Sequence, residues 1–227
     1  LDIKDQNKII NDISPIFIGS FQLKNLAMAV QAAKLCNLST KQIYNTLKNI
    51  RDIEGRLNLV KKFPNNIKVF VDFAHTPEAL REVLSSLKKF YKENISLVFG
   101  CGGERDKKKR PMMAKIAKTF CNKIYVTDDN PRNENPKKIR EEITKNLKSK
   151  DYFSIGNRSD AIKKSILNAD PNEIILIAGK GHENYQDYGK KVISISDKAI
   201  IKNLKYNKRL ISKDEQISLF NSKILNE

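Results

Sequence analysis

The sequence predicts an α/β fold, a mostly parallel sheet with helices on both faces, and three observations carry that prediction. From about residue 57 onward, short apolar runs alternate with amphipathic stretches of helical length. The runs are dominated by Val, Ile, Leu and Phe, as in Ile174-Ile175-Leu176-Ile177-Ala178, which suits strands covered from above and below. Between run and helix lie loops rich in Gly, Asp, Asn and Pro. Right-handed crossovers bring every strand-to-helix loop of such a sheet to one edge, where ligands bind outside the carboxyl ends of the strands.

Taken in order, residues 1–18 end in the apolar run Ile16-Phe17-Ile18, closed by Gly19. Leu23, Leu26, Ala27, Val30 and Ala33 then recur at helical spacing and predict a helix from about Gln22 to Cys36. Ser39-Thr40 can cap a second helix carrying Ile43, Leu47 and Ile50. Neither helix is followed by a strand. The pattern changes at Glu54-Gly55-Arg56, which places a boundary there between residues 1–54 and a domain over 55–205.

Beyond that boundary, Leu57–Lys61 and Ile67–Phe73 read as strands joined by a Pro64-Asn65-Asn66 turn. Thr76 and Pro77 form an N-cap and first-turn pair for a helix with Leu80, Val83, Leu84, Leu87 and Tyr91 on its apolar stripe. The unit then repeats. Ser96–Phe99 precedes a glycine-rich loop and a helix opening at Arg110-Pro111. Ile124–Thr127 precedes a polar turn and a helix with Ile139, Ile143 and Leu147. Tyr152–Ile155 precedes a helix marked by Ile162 and Ile166. Ile174–Ala178 is the most apolar strand, Val192–Ile195 reads as a last strand, and a helix follows over Asp197–Leu204. Residues 206–227 are a polar tail without turn punctuation.

Bulk properties narrow the function classes. No stretch approaches the roughly 18 apolar residues of a membrane span, and no signal peptide is visible. Cys36, Cys101 and Cys121 are scattered without metal-ligand spacing, as expected of reduced thiols in a soluble, cytoplasmic protein. The chain opens at Leu1 in a charged stretch, and its natural beginning is expected to lie upstream. The net charge of +17 raises a nucleic-acid reading. Against it, Lys outnumbers Arg, the basic residues are spread along the chain, and Lys107-Lys108-Lys109-Arg110 has no aromatic neighbours for base stacking. No nucleic-acid partner and no membrane insertion are expected.

Four loops therefore share the predicted rim: Asp72–His75, Gly100–Asp106, Asp128–Arg132 and Gly179–Glu183. Both histidines of the chain, His75 and His182, lie in them. In Thr127-Asp128-Asp129-Asn130-Pro131-Arg132, two carboxylates, an amide and a guanidinium sit in a turn stiffened by Pro131. Such a turn can hold a zwitterion, with Arg132 forked onto a carboxylate and the acidic groups facing an ammonium. Six such residues can also form an ordinary Asp-Asn-Pro turn that ends a strand. Gly102-Gly103 allows close backbone approach, and Arg105 can fork onto a carboxylate or phosphate. Gly179-Lys180-Gly181 resembles a phosphate-cradling loop but fits neither the P-loop nor the dinucleotide pattern. Two histidines are too few for a conventional zinc site, and no metal is assigned.

The series Gly55-Arg56, Asp72-Phe73-Ala74-His75-Thr76-Pro77, Gly100-Cys101-Gly102-Gly103-Glu104-Arg105-Asp106 with Lys109-Arg110-Pro111, Asp129-Asn130-Pro131-Arg132 and Gly179-Lys180-Gly181-His182-Glu183 resembles the Mur ligases. Within them it resembles the branch that adds 2,6-diaminopimelate as the third residue of the peptidoglycan stem. The resemblance covers roughly Gly19–Leu204. It implies a Rossmann-like C-terminal domain over 55–205, preceded in residues 1–54 by the helical end of a central ATPase domain.

The implied reaction is ATP-dependent amide formation between meso-2,6-diaminopimelate and UDP-N-acetylmuramoyl-L-alanyl-D-glutamate, through an acyl phosphate, by a protein expected to be monomeric. ATP and Mg2+ are the implied cofactors. The P-loop, the magnesium ligands and the modified lysine would precede this chain, which should not catalyse anything alone. By resemblance, Arg105, Asp129, Asn130, Pro131, Arg132, Gly179 and Glu183 contact diaminopimelate. Asn25, Arg56, Asp72 and His75 lie on the nucleotide side, and the catalytic residues are unassigned. The family usually has Phe-Asn where this chain has Phe21-Gln22. A lysine-adding member of the same family and a non-catalytic amino-acid-binding domain are the alternatives.

Overall fold

The computed structural model describes residues 19–47, 49–50, 53–147 and 151–206. The apolar run at 16–18 and the tail beyond 206 lie outside the described residues. The elements are α1 (Ser20–Leu35), α2 (Thr40–Leu47), β1 (Asn58–Phe63), β2 (Ile67–Asp72), α3 (Pro77–Tyr91), β3 (Ile95–Phe99), α4 (Lys109–Phe120), β4 (Lys123–Val126), α5 (Pro136–Thr144), β5 (Asp151–Ser154), α6 (Arg158–Leu167), β6 (Ile174–Ala178), β7 (Tyr185–Asp187), β8 (Val192–Ser194) and α7 (Asp197–Asn203).

The sheet has the order β1-β2-β6-β3-β4-β5. All neighbours are parallel except β1, which pairs antiparallel with β2 across the turn at Pro64–Asn66. The chain runs outward through β3, β4 and β5, then returns to insert β6 between β2 and β3. Carboxyl ends of β2, β6, β3 and β4 therefore stand side by side.

Alternation along the strands divides the core in two. Phe70, Leu97, Phe99, Ile124, Val126 and Leu176 face α3, α4 and α5, whose Leu84, Leu87, Met113, Ala117 and Ile143 pack against them. Val69, Val71, Val98, Tyr125, Ile175 and Ile177 face α6 and α7, meeting Ile162, Ile166 and Ile201. Most of these side chains are fully buried, so truncating one such as Leu97 to Ala costs about 2–5 kcal/mol. Helices start where side chains cap them. Thr76 Oγ1 accepts from the Ala79 N–H with Pro77 at the first turn, and Asn135, Asn157 and Ser196 do the same for α5, α6 and α7.

Two expectations change. Val192–Ser194 does not join the main sheet. It pairs antiparallel with Tyr185–Asp187 as a separate two-stranded hairpin. Helix α4 opens at Lys109, and its Arg110 is fully buried, held by Glu134 and Glu142. Helices α1 and α2 form their own small cluster of Leu26, Ile43 and Leu47. Among the described residues no helix is long and apolar enough to cross a membrane.

Candidate functional site

The four predicted loops do meet. A cavity of about 540 Å3 at the carboxyl edge of the sheet is bordered by Arg105, Asp129, Asn130, Arg132, Gly179 and Glu183, with His75 and Lys109 beside them. Pro131 lies behind this wall, buried, its carbonyl accepting the Glu134 N–H at 3.0 Å. The loops approach one another backbone to backbone. A Cβ on Gly103 would stand 2.0 Å from the Pro131 carbonyl oxygen. Gly179 has a φ of +112°, and a Cβ there would meet Asp129 Oδ2 at 2.8 Å, so glycine at that position lets the carboxylate lie over the end of β6.

Arg132 occupies the left-handed region, with a φ of 52°. Its Nη1 donates to the carbonyls of Gly103 at 2.8 Å and Asn130 at 3.3 Å. Its guanidinium is therefore aimed by the protein before any ligand arrives. Asn130 Oδ1 accepts from Lys180 Nζ at 3.0 Å and from the Asp187 N–H at 3.0 Å. Its Nδ2 points to Glu183 Oε2 at 3.4 Å, and Lys180 Nζ reaches that same oxygen at 3.1 Å. Lys180 has no solvent exposure. Sequence reading placed it only in a loop resembling a phosphate cradle; a buried cation tying two site residues together was not visible there.

The β7–β8 hairpin was likewise missed as part of the site. Gln186 Nε2 donates to the Asp128 carbonyl at 2.9 Å, and Tyr188 Oη donates to Asp128 Oδ2 at 3.0 Å. Asp128 Oδ1 is ion-paired with Arg140. Burial pushes the Asp128 carboxyl above its usual range, and Arg140 and Tyr188 pull it back. The turn that holds Asp129 and Arg132 is thus clamped between α5 and the hairpin.

The residues expected on the nucleotide side are placed differently. Arg56 is exposed, its guanidinium carbon 4.7 Å from the Phe73 ring centroid. His75 meets the same ring edge-on at 4.7 Å, and His182 lies 5.7 Å from it. Asp72 is 4% exposed; Oδ2 accepts the Leu57 N–H at 2.6 Å and Oδ1 the Ala74 N–H at 2.7 Å. Burial pushes its carboxyl up, while those two bonds and the charge of Arg56 lower it. Asn25 is exposed on α1. Of this group only His75 borders the cavity.

Comparison with known proteins decides the family. Residues 55–181 match the Mur ligase glutamate ligase domain. The chain belongs to the Mur ligase family. It is 42% identical over 198 residues to the UDP-N-acetylmuramoyl-L-alanyl-D-glutamate–2,6-diaminopimelate ligase of Rickettsia montanensis, covering 86% of this chain and 40% of that protein. A ligase of the same description from Buchnera aphidicola is 38% identical over 190 residues, 83% of this chain and 38% of that one. A solved structure of an enzyme with this description superposes with a TM-score of 0.63 at 32% identity, covering 82% of this chain and 38% of the other. The chain therefore spans about two-fifths of the length of the curated relatives it matches.

In this Mur ligase domain the cavity carries both signs of charge. Arg105 and Arg132 offer forked donors, and Asp129 and Glu183 offer carboxylates. Such a surface can hold a small ligand bearing carboxylate and ammonium groups. Among the described residues no three of His, Cys, Asp and Glu come together as metal ligands. The hairpin lies beyond residue 181, where the family match ends, yet it holds the Asp129–Arg132 turn in place.

Proposed function

We propose that this chain is the C-terminal, amino-acid-presenting part of an ATP-dependent ligase that adds meso-2,6-diaminopimelate to UDP-N-acetylmuramoyl-L-alanyl-D-glutamate. The observation that carries the proposal is the single cavity shared by Arg105, Asp129, Asn130, Arg132, Gly179 and Glu183. Diaminopimelate has an ammonium and a carboxylate at each end. One end fits between the arginines and the acidic pair, and the other is left facing outward with its amine available.

In the reaction, the amine nitrogen attacks the carbonyl carbon of a glutamyl phosphate, the carbon–oxygen bond to phosphate breaks, and the amine loses its protons. The residues of this chain orient the nucleophile; they do not form the acyl phosphate. Holding a reactant in attack geometry is itself a large part of such catalysis. Residues 1–54 are the end of the preceding ATP-binding domain, supported by the separate small core of α1 and α2. Arg56 and His75, both against Phe73, face the nucleotide, and buried Asp72 organises the boundary backbone beneath them. Among the described residues Cys36 and Cys101 are free thiols, which fits a cytoplasmic setting.

Calorimetric titration of the chain with meso-diaminopimelate and with L-lysine tests this. Diaminopimelate is expected to bind at least tenfold more tightly, a difference of about 1.4 kcal/mol or more. Equal or tighter binding of lysine would overturn the assignment.

A further inference from the structure

We infer that Lys180 is a specificity-determining positioning residue, which locks Asn130 to Glu183 and sets a positive charge beneath the cavity that disfavours a cationic diamine. The inference rests on the diaminopimelate reading above and deepens it. Lys180 is unusual in three respects. It is fully buried, although lysine is among the residues most seldom buried without a partner. Its Nζ bridges Asn130 Oδ1 at 3.0 Å and Glu183 Oε2 at 3.1 Å, two residues that border the cavity. It also lies 5.3 Å from the Tyr185 ring centroid, with the ring face as a further cation partner.

The bridge fixes the polarity of Asn130. An ammonium and a backbone N–H can only donate, so the atom that receives both must be the amide oxygen. Asn130 therefore turns its NH2 toward Glu183, and it acts on a ligand as a donor. Glu183, with one oxygen held by Lys180, acts as an acceptor. A donor side and an acceptor side are thereby set apart at fixed positions, matching the carboxylate and ammonium of one amino-acid head.

The two candidate ligands also differ in charge. Diaminopimelate has two carboxylates and two ammonium groups and a net charge of zero. Lysine lacks one carboxylate and carries a net positive charge. Lys180 is ion-paired with Glu183 at 3.1 Å, so it cancels that carboxylate's pull on a cation. Without it the acidic side of the cavity would favour lysine over the neutral zwitterion, so its charge works beside the attraction of Arg105 and Arg132 for carboxylates.

The test compares wild type with K180Q by calorimetry, using meso-diaminopimelate and L-lysine on the whole chain. The ratio of the two affinities is expected to shrink at least about tenfold in K180Q, through weaker diaminopimelate binding, stronger lysine binding, or both. A wild-type preference that K180Q leaves unchanged overturns the role of Lys180 while the diaminopimelate reading stands. A wild type without preference overturns both. K180R, which keeps the charge, is expected to retain more of the ratio than K180Q; a merely structural role would not order the variants by charge. Should the variants unfold, the side-chain ammonium resonance of Lys180 in the wild type decides. It is expected to move when diaminopimelate is added, and an unmoved resonance at saturation overturns the inference.

Discussion

The backbone N–H of Arg132 donates to the carbonyl of Asp187 at 3.0 Å, joining the Asp-Asn-Pro-Arg turn after β4 to a hairpin more than fifty residues later. The left-handed backbone at Arg132 turns that N–H toward the hairpin and leaves the guanidinium beside Gly103 and the cavity. The proposed ligand contact and the local fold therefore meet in one residue.

Substituting Arg132 by Ala is expected to lower diaminopimelate affinity on the order of 10- to 100-fold, the loss of a charge-assisted hydrogen bond worth about 1.5–3 kcal/mol. Lysine, which has no distal carboxylate, should change little. R132K should fall between, because it keeps the charge and loses the fork. Paired calorimetric titrations check this; equal losses for both ligands would show that Arg132 only supports the loop.

Gly179→Ala should damage the site more than its size implies. The φ of +112° is strained for an alanine, and its Cβ would displace Asp129 Oδ2. A cost of about 1–3 kcal/mol in stability is expected, together with at least a tenfold loss of diaminopimelate affinity. Urea unfolding and titration of the same sample measure both. Unchanged binding would mean that Asp129 does not touch the ligand.

Much of this arrangement was legible in the sequence, and the reasons are local. Ile174–Ala178 announced a central strand by composition, and Thr76-Pro77 announced a helix start by capping chemistry. The meeting of the rim loops followed from crossover handedness alone. Long-range partners were not legible. Nothing in the sequence says that β6 inserts between β2 and β3, or that Gln186 and Tyr188 reach back to Asp128. Nothing local in the sequence marks Lys180, Arg110 and Arg158 as buried, yet all three are, because each has found fixed partners; Arg158 holds Asp197 with bonds of 2.8 and 2.7 Å. Of the residues read as nucleotide-facing, the fold places Asp72 inward and Arg56 outward, which their sequence neighbours do not announce.

Glu134 supports a pH prediction. It bonds the Glu104 N–H and the buried Arg110, and its carboxyl is held below the ordinary 4.5, first by the Glu104 bond and then by Arg110, while partial burial pushes the other way. A depressed carboxyl stabilises the fold above its unfolded value and loses that contribution as pH falls through the folded one. Wild type should exceed E134Q in stability at pH 7 by about 1–2 kcal/mol, the cost of a weakened partner for a buried guanidinium. The gap should close below pH 4.5. Urea midpoints at pH 7 and pH 3 check it; a constant gap would contradict the assignment.

Arg56→Ala should separate the two sides of the domain. Arg56 is exposed against Phe73 and does not border the amino-acid cavity. Diaminopimelate affinity of the chain should stay within about twofold. In a complete ligase the Michaelis constant for ATP should rise while that for diaminopimelate holds. Kinetics with each substrate varied in turn distinguish this from a general loss.

The most direct measurement is an amide NMR titration of the chain with meso-diaminopimelate. Resonances in the loops 100–106, 127–132 and 179–183 are expected to move together along one saturation curve, with the hairpin at 185–188 following. Shifts confined to a single loop, or lying away from the carboxyl edge of the sheet, would contradict the shared site.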